Sequence, residues 1–276
     1  MTKPLILLTN DDGIHSPGLA AAAAALDPLG ELLIVAPEVQ QTSMSRSRSQ
    51  QCDGDGLITK TIVNYQDLSW SGYSVKATPA LAVNHAVMEL ADRDIALAVS
   101  GINYGENVGT CVTVSGTIGA ALEAAEKDIP TLAVSQEIDS VDYHAYSKEV
   151  DFSAALHFTR QLAEVMLRQA MPPDADVLKL EIPLGATPET EVVVTRQDKL
   201  AYYQPTLIPR DQLLGSQTTI SHRPSKGQYT REDTDAYALA RGLVSITPLS
   251  LDLTSRNCLG TLGDLFDSKV LPRSDE

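Results

Sequence analysis

Residues 3–19 read KPLILLTNDDGIHSPGL. The apolar run Leu5–Leu8 ends abruptly at residues 9–13 (TNDDG), and an alanine-rich helical pattern follows at residues 20–29. A buried strand, an acidic turn and a helix in this order are typical of an open parallel sheet, in which ligands bind beyond the carboxyl ends of the strands. The stretch therefore predicts an α/β fold with a functional site directly after its first strand.

Asp11 and Asp12 place two carboxylates on neighbouring residues, where their negative charges repel each other. A divalent cation such as Mg²⁺ or Mn²⁺ offsets that repulsion, because hard ions prefer oxygen ligands. Acidic residues also occur near the positive end of a helix dipole without any metal. The stretch favours a metal site over an ordinary helix start, and both interpretations remain open at this point.

The composition indicates a folded protein that does not bind nucleic acid polymers. Of the 276 residues, 43% are hydrophobic, which is enough to bury a sizeable core. The net charge of -15 argues against a polymeric nucleic acid partner but leaves small phosphorylated substrates open. The length by itself allows one large α/β domain or two small ones.

The cysteines and the apolar segments predict a cytoplasmic protein. Cys52, Cys111 and Cys258 are widely separated and form neither a zinc motif nor a disulfide framework, which suits a reducing compartment. The first apolar run is too short for a signal peptide, and no later run is long enough to cross a bilayer. We therefore expect no membrane partner.

Apolar runs bounded by turn residues predict the remaining elements. The strand at Leu5–Leu8, the helix at 20–29 with Gly30 as its stop, and a strand at Glu31–Ala36 form a βαβ unit. Further strands are predicted at residues 57–63, 73–76 (the two joined through 66–72), 95–100, 131–135, 177–182, 191–195 and 243–247. Further helices are predicted at residues 78–90, 118–127, 149–171 and 259–266.

Two polar segments follow predicted strands and should reach the same sheet edge as the two aspartates, and the start of the next helix comes soon after the second one. Residues 38–49 are rich in hydroxyls and form either a mobile surface loop or part of the site. Residues 101–109 carry three glycines that allow close approach of backbone amides, but not at the dinucleotide spacing, so we predict no nicotinamide cofactor. Ser115 or Thr117 caps the next helix, whose first N–H groups are suited to phosphate.

Four motifs occur in the order found in one family: TNDDG at 9–13, VAPEVQQT at 35–42, SGINYGENVG at 100–109 and SGT at 115–117. Together with DTD at 233–235 and SITPLSLD at 245–252, they resemble the SurE family of survival-protein 5'/3'-nucleotidases over nearly the whole chain. The resemblance implies a Rossmann-like, mostly parallel sheet flanked by helices, with a C-terminal extension used in oligomerisation. It implies one domain over residues 1–276, with a core at about 1–171 and a C-terminal part at 172–276 that contributes strands and oligomer contacts.

The same resemblance implies a divalent-metal-dependent phosphomonoesterase that hydrolyses nucleoside 5'- or 3'-monophosphates. The implied metal ligands are Asp11, Asp12, Thr42 and Asn103, and Asp11, Asp12 and Asn103 are the implied catalytic residues. Phosphate contacts are expected at Gly105, Asn107, Ser115, Gly116 and Thr117, although Asn107 is also suited to orienting its loop. Thr42 stands where the family usually has serine, so the neighbouring Ser43 is an alternative hydroxyl ligand.

Several points of mechanism stay open. Attack by metal-activated water is the expected route, and Asp11 as a covalent nucleophile is its rival. A non-catalytic module that binds metal and nucleotide is a rival function. His15 is a candidate general acid, but a solvated loop histidine is the commoner case. The family's TPTDCV segment is replaced by TPALAV at 78–83, which leaves the preference among nucleotides, short polyphosphate and other small phosphomonoesters open.

Residues 211–235 are polar and weakly patterned, which is typical of a functional or assembly segment. The resemblance implies that such C-terminal segments exchange between subunits. We therefore expect a homodimer or tetramer whose contact either buries apolar area or pairs Arg223, Lys226 and Arg231 with acids of the neighbouring subunit.

Overall fold

The computed structural model describes residues 3–49, 56–139, 150–210, 212, 214–216, 220–224, 229 and 231–255. In this part of the chain a nine-stranded, mostly parallel sheet is covered by helices on both faces. The predicted α/β, Rossmann-like class is confirmed. None of the helices in these segments has the length and apolar character needed to cross a membrane.

The described strands, in chain order from β1 to β11, are Leu5–Thr9, Glu31–Pro37, Ile58–Tyr65, Leu68–Val75, Ile95–Tyr104, Thr131–Gln136, Val177–Ile182, Val192–Val194, Tyr203–Leu207, Ile220–Pro224 and Val244–Leu249. The main sheet has the order β3-β4-β2-β1-β5-β6-β7-β11-β8. Its six strands from β4 to β7 run parallel, and β3 and β11 lie antiparallel to their neighbours β4 and β7. Strands β9 and β10 pair separately as an antiparallel arm.

The strand order reverses beside β1, which lies between β2 and β5. The chain moves one way from β1 to β2 and the other way from β5 to β7. Such a topological switch point opens a crevice between the loops that follow the two strands. Here those loops are residues 10–16 after β1 and residues 105–109 after β5. The fold therefore brings two of the polar segments to one place.

The described α-helices, from α1 to α5, are Pro17–Leu26, Pro79–His85, Gly116–Ala125, Ser153–Arg168 and Asp235–Ala240. A π-helical turn at Ala86–Leu90 extends α2, and a 3₁₀ turn at Gly109–Thr113 precedes α3. Helices α1 and α4 pack on one face of the sheet, and α2 and α3 pack on the other. Alternate residues of β1 enter the two cores, which explains why that strand is apolar throughout.

Most predicted elements are present within a few residues of the expected bounds, but the role assigned to Gly30 was wrong. The first helix begins earlier than predicted, at Pro17, and ends at Leu26. Gly30 lies beyond it with no left-handed backbone. A Cβ atom on Gly30 would lie 2.6 Å from the Pro4 carbonyl oxygen and 2.8 Å from Ile6 Cδ1. This glycine therefore allows close packing against β1 and does not stop the helix.

The segment expected to join β3 and β4 is largely strand. Residues 66–72 were predicted as a connection, whereas the turn is confined to Gln66-Asp67 and the antiparallel pairing of β3 and β4 resumes at once. Trp70 consequently lies within β4, where it is half-buried and its Nε1 donates to Asp27 Oδ1 at 2.8 Å. The single tryptophan thus ties this strand to the end of α1.

The C-terminal part contains elements that the sequence pattern did not reveal. The strands β9 and β10 and the short helix α5 were missed, because polar residues dominate the segment around them. The helices predicted at 78–90, 118–127 and 149–171 appear as α2 with its π-helical turn, α3 and α4. The helix predicted at 259–266 lies outside the described residues, as do Lys226 and the side chain of Arg223.

Candidate active site

The turn after β1 is closed by its own side chains. Asn10 Nδ2 donates to the Gly13 carbonyl at 3.0 Å, and the Gly13 N–H donates back to Asn10 Oδ1 at 3.2 Å. Gly13 has φ +95°, a conformation that favours glycine. The N–H of Gln41 donates to the Asp11 carbonyl at 2.6 Å, so the loop after β2 lies directly against this turn. The two aspartates are thereby held between the turn after β1 and the loop after β2.

The side chain of Asp11, in the turn after β1, contacts the first residues of α3. Its Oδ1 accepts a hydrogen bond from the Thr117 hydroxyl at 2.5 Å, and the backbone N–H groups of Gly116 and Thr117 also stabilise its ionised form. A Cβ atom on Gly116 would lie 2.7 Å from both Asp11 Cβ and Asp11 Oδ2. Glycine at this position therefore allows the carboxylate to meet the positive end of the helix dipole.

Asp12 is held from two other elements. The N–H of Tyr104, the last residue of β5, donates to Asp12 Oδ2 at 3.0 Å. Gln40 Nε2, from the loop after β2, donates to Asp12 Oδ1 at 3.3 Å. The Asp12 side chain thus links the three loops that meet at the switch point.

Burial and mutual repulsion raise the pKa values of both aspartates. Burial raises the pKa of Asp11 to about 6, although its hydrogen bonds act in the opposite direction. Burial, followed by the negative charge of Asp11, raises the pKa of Asp12 to about 8. The surrounding donors therefore do not compensate for two ionised carboxylates. Additional positive charge at this place would lower both pKa values.

Asn103 reaches the site because β5 is irregular. The strand does not end at Ser100, as expected, but continues to Tyr104, and its register with β6 shifts between Ser100 and Asn103. Gly101 in this irregular stretch has φ +132°, and a Cβ there would lie 2.3 Å from the Val134 carbonyl oxygen. Asn103 Nδ2 donates to the Gly105 carbonyl at 2.7 Å, which leaves its amide oxygen as the atom suited to a cation.

The hydroxyl-rich loop is anchored to the helical layer. Its Arg46 Nε donates to the buried carboxylate of Glu123 at 2.8 Å, and Thr78 Oγ1 donates to the Ser47 carbonyl at 2.5 Å. Thr42 and Ser43 are exposed beside Gln41. These contacts hold the loop in place and argue against the mobile-loop interpretation.

Gln41 presents an unusual polar atom in this loop. Its side chain is buried, and none of the described residues donates a hydrogen bond to its Oε1 atom. Its backbone N–H contacts Asp11, so the side chain belongs to the same neighbourhood as the aspartates. Ser43 adopts φ +63°, which is uncommon for a residue other than glycine. An uncommon backbone conformation of this kind persists where the surrounding contacts hold it, and the Oε1 atom of Gln41 is a further oxygen close to the aspartates.

The glycine loop at residues 105–109 is held mainly through its backbone. The Gly105 N–H donates to the Gln136 carbonyl at 2.9 Å. The Asn107 N–H donates to the carboxylate of Glu181, and Asn107 Nδ2 donates to Ser135 Oγ at 2.9 Å. The donors of Asn107 thus point to protein groups. This geometry favours the loop-orienting alternative over direct contact with phosphate.

The start of α3 resolves one open alternative. Ser115 is the N-cap, and its Oγ accepts from the Ile118 N–H at 3.2 Å. Gly116 and Thr117 are directed to Asp11, as described above. A phosphate role for these residues remains a prediction, and any phosphate there would share the helix start with the Asp11 carboxylate. His15 is exposed, and its catalytic role also remains a prediction.

Sequence reasoning missed two residues that shape the site. Gln40 lies in the quoted motif VAPEVQQT, so its polar side chain next to a proposed ligand was an available signal. Glu181 lies with Lys179 in a strand whose other residues are apolar, and charged residues in a buried parallel strand are themselves unusual. Their contacts with Asp12 and Asn107 depend on which strands are neighbours, which no local pattern reveals.

The donor set fits a hard divalent cation. Asp11, Asp12, Thr42 and Asn103 offer carboxylate, hydroxyl and amide oxygens, and a cation beside them would lower the raised pKa values of the two carboxyls. Among the described residues there is no group of three or more His, Cys, Asp or Glu side chains that would form a metal site. The proposed site has only two such side chains, Asp11 and Asp12, and its other ligands are the neutral oxygens of Thr42 and Asn103.

Comparison with known proteins identifies the family of this chain. The model of the family described as "Survival protein SurE" matches residues 6–204 of this chain. The chain is 37% identical over 252 residues to a protein named 5'-nucleotidase SurE from Thermococcus kodakarensis, covering 91% of this chain and 94% of that one. A relative of the same name from Methanothrix thermoacetophila is 35% identical, covering 95% and 98%. The crystal structure of the SurE protein from Aquifex aeolicus superposes with a TM-score of 0.73 at 28% identity, covering 96% of this chain and all of that one. The chain belongs to the SurE family of survival proteins.

Proposed function

We propose that this protein is a divalent-metal-dependent nucleotidase that hydrolyses nucleoside 5'- or 3'-monophosphates to nucleoside and phosphate. The observation that carries the proposal is the buried Asp11–Asp12 pair at the switch point of the sheet, with the pKa values of both carboxyls raised. Relatives that share most of the chain's length are named 5'-nucleotidases, which supports the enzyme over a non-catalytic binding module.

Four side chains would hold the metal in this proposal. Asp11 and Asp12 supply the negative charge, and the amide oxygen of Asn103 and a hydroxyl from Thr42 complete the set. Magnesium and manganese suit such a group of oxygen donors, because neither sulfur nor imidazole is among them. When bound, a divalent cation polarises a phosphoryl oxygen and lowers the pKa of water at the site.

The chain's own residues would position the substrate. Phosphoryl transfer requires mainly alignment and charge stabilisation, and both come from fixed groups here. Gly105 and the start of α3 at Gly116 are the proposed phosphate contacts, and at Gly116 the phosphate would share the helix start with the Asp11 carboxylate. Thr117 keeps the Asp11 carboxylate oriented through its hydroxyl. His15 is an exposed residue of the same loop and is the candidate general acid for the leaving oxygen.

Asp11 as a covalent nucleophile is the less favoured route. Its carboxylate already accepts from the Thr117 hydroxyl and from the N–H groups at the start of α3. Donors of this kind withdraw charge from the oxygens and hold them in place, which suits a metal ligand better than an attacking group. Mass analysis of Asp11 after trapping with a phosphate mimic would detect a covalent adduct and so decide between the two routes.

Phosphate release from a substrate panel tests the proposed function. The panel contains nucleoside 5'- and 3'-monophosphates, p-nitrophenyl phosphate, sugar phosphates and short polyphosphate, each with Mg²⁺, Mn²⁺ or EDTA. We expect turnover of nucleoside monophosphates with either metal and none with EDTA. Asp128→Asn is a matched control, because this exposed aspartate lies beyond the other end of α3 and its φ of +59° suits asparagine. Full activity in EDTA, or no activity on any phosphomonoester, would contradict the proposal.

We also propose that the enzyme acts in the cytoplasm as a homodimer or tetramer. The β9–β10 arm lies outside the main sheet, and it carries the exposed apolar residues Leu207 and Ile208, with Leu214 nearby. These side chains are suited to a neighbouring subunit. Light scattering of the full chain and of the variant Leu207→Glu/Ile208→Glu tests this, and a monomeric full-length chain at micromolar concentration would contradict it.

A further inference from the structure

A second cluster of charged side chains is buried beside the glycine loop. Lys179 and Glu181 alternate on β7 and therefore point to the same face of the sheet. Asp235 is the first residue of α5. The Lys179 Nζ atom lies 3.0 Å from Asp235 Oδ2 and 3.4 Å from Glu181 Oε1, and all three side chains are fully buried. None of the three belongs to the proposed metal or substrate contacts.

Both carboxylates of this cluster accept hydrogen bonds from the backbone of the glycine loop. The Asn107 N–H donates to Glu181 Oε2 at 3.1 Å and to Oε1 at 3.3 Å. The Gly109 N–H donates to Asp235 Oδ2 at 3.1 Å. Two alternate residues of the loop are thus bound by two charged acceptors, and bonds to charged acceptors are stronger than bonds between neutral groups.

Stability alone does not account for a buried cluster of this kind. Removing charges from water is costly, and apolar replacements of buried ion pairs are often neutral or stabilising. Burial raises the pKa of Glu181 to about 7, although the Lys179 charge and the Asn107 N–H act against this. Neutral acceptors could bind the same two N–H groups at lower cost. Asp235 Oδ1 also accepts from the N–H groups of Asp198 and Ala236, both at 2.8 Å, so the cluster contacts the C-terminal part as well. The bonds from the N–H groups of Asn107 and Gly109 to both carboxylates point to a role in the glycine loop.

We propose that Lys179, Glu181 and Asp235 are positioning residues that fix the glycine loop of the active site. The proposal rests on the proposed nucleotidase function and gives none of the three a contact with substrate. Lys179 keeps two carboxylates together that would otherwise repel each other. The carboxylates in turn hold the N–H groups of Asn107 and Gly109, and the three side chains together are called the clamp below.

The loop is joined to the proposed metal site by a short path. Asn103 Nδ2 donates to the Gly105 carbonyl at 2.7 Å, and the Gly105 N–H is bound to the Gln136 carbonyl on β6. A shift at Asn107 therefore alters the support of Asn103 within a few bonds. Misplacement of positioning groups by about 1 Å can cost on the order of 100-fold in rate. The clamp thus controls turnover without supplying a ligand.

A charge-balanced pair of variants tests the clamp. Lys179→Met leaves two uncompensated buried carboxylates. The double variant Lys179→Met/Glu181→Gln restores the net charge of the cluster and keeps an amide oxygen that can accept the Asn107 N–H. We expect Lys179→Met to lower kcat for p-nitrophenyl phosphate by about 10- to 100-fold in folded enzyme, and the double variant to recover most of that loss.

Amide hydrogen exchange provides a readout that does not depend on activity. Peptides that cover residues 105–109 should exchange faster in Lys179→Met than in the wild type, and the double variant should restore protection. Peptides that cover residues 10–13 should be unchanged. Lys60→Met is the matched control, because Lys60 is exposed on β3 far from this loop in the sheet order. Its exchange and kcat should equal those of the wild type.

Glu181→Gln keeps the test decisive if Lys179→Met does not fold. This variant leaves Lys179 paired with Asp235, and we expect a loss in kcat of about two- to fivefold with faster exchange at Asn107, since a neutral acceptor replaces a charged one. Unchanged kcat and exchange in the folded variants, or a double variant no better than Lys179→Met, overturns the proposal. A wild type without phosphomonoesterase activity refutes the proposed function instead, and the exchange comparison then decides for or against the clamp by itself.

Discussion

Among the described residues, the acidic pairs Glu181–Asp235 and Asp11–Asp12 are both buried, and their charges are balanced differently. Glu181 and Asp235 enclose the ammonium group of Lys179. Asp11 and Asp12 are contacted by neutral donors, among them a threonine hydroxyl, a glutamine amide and backbone N–H groups. The Glu181–Asp235 pair carries its cation within the chain, whereas the Asp11–Asp12 pair has raised pKa values that added positive charge would lower. This difference supports a structural role for the former and a metal site for the latter.

The largest expected effect separates the pairs by activity. Asp12→Asn should lower kcat/KM by about 10³-fold or more, because it removes charge from a group that would stabilise phosphoryl transfer through a metal. The fold should persist, since Asn Oδ1 can accept the Tyr104 N–H and the Gln40 amide can rotate to face the new NH₂ group. Phosphate release and far-ultraviolet circular dichroism measure the two properties. If this variant turned over substrate at the wild-type rate, Asp12 would have a structural role and would not be a metal ligand.

A second, smaller effect tests how closely Asp11 is fitted to its helix. Gly116→Ala places a Cβ atom 2.7 Å from the Asp11 carboxylate oxygen, so either the side chain or the helix must shift. We expect kcat to fall by about 10- to 100-fold and the Mn²⁺ concentration for half-maximal activity to rise.

Gly185→Ala is the control for losing a glycine as such. Gly185 has φ +75°, and a Cβ atom on it would meet none of the described residues within 4 Å. That variant should lose stability through backbone strain and keep its metal requirement. If both variants behaved alike, the close contact with Asp11 would have no special importance.

The two pairs should also respond with opposite signs in metal-free protein. The folded pKa of Asp12, about 8, lies above the ordinary value of 3.8, so the folded state binds more protons between roughly pH 4 and pH 8. Stability is therefore lost as the pH rises through this window. Asp12→Asn removes the ionisation, and with EDTA it should be more stable than the wild type by about 1 to 3 kcal/mol at pH 8 and nearly equal at pH 4.

Urea unfolding at the two pH values measures this difference. Lys179→Met provides the contrast, because it removes the positive charge that neutralises two buried acids instead of removing an acid. Its free energy of unfolding should be lower than that of the wild type by about 3 to 5 kcal/mol. Destabilisation by Asp12→Asn at pH 8 would show that the Asp11–Asp12 pair is a structural pair like the other.

Much of the neighbourhood of the Asp11–Asp12 pair could be predicted from the sequence, whereas that of the Glu181–Asp235 pair could not. The two aspartates follow an apolar strand directly, and parallel strands bring their carboxyl ends to one edge, so a local pattern predicts where they lie. Lys179 and Glu181 stand in a strand that was predicted correctly, yet its pattern gives no partner for them. Their partner Asp235 lies in a helix that the polar composition concealed.

The bounds of the helices and strands likewise depend partly on local sequence and partly on contacts between distant segments. The N-cap at Ser115 follows from local chemistry and appears as one of the two predicted caps. The helix stop predicted at Gly30 was wrong, because the approach of Pro4 and Ile6 is what requires glycine there. The extension of β5 to Asn103 likewise depends on the register shift against β6. Contacts between distant segments, which a single sequence does not display, decide these features.

The smallest expected effect concerns which hydroxyl completes the acidic site. Gln40 and Gln41 bind Asp12 and Asp11, so the next residue, Thr42, is the first hydroxyl beyond the pair. Thr42→Val keeps the branched shape and deletes only the oxygen, and we expect kcat/KM to fall about tenfold because one neutral ligand is lost. Thr42→Ser should be tolerated. Ser43→Ala is the matched control on the neighbouring exposed residue, and it should lower kcat/KM by less than about twofold. Alanine at φ +63° is strained, so thermal unfolding is measured as well to separate a loss of stability from a loss of activity. A Ser43→Ala loss larger than that of Thr42→Val would place the ligand one residue later and would give the acidic pair a different third donor.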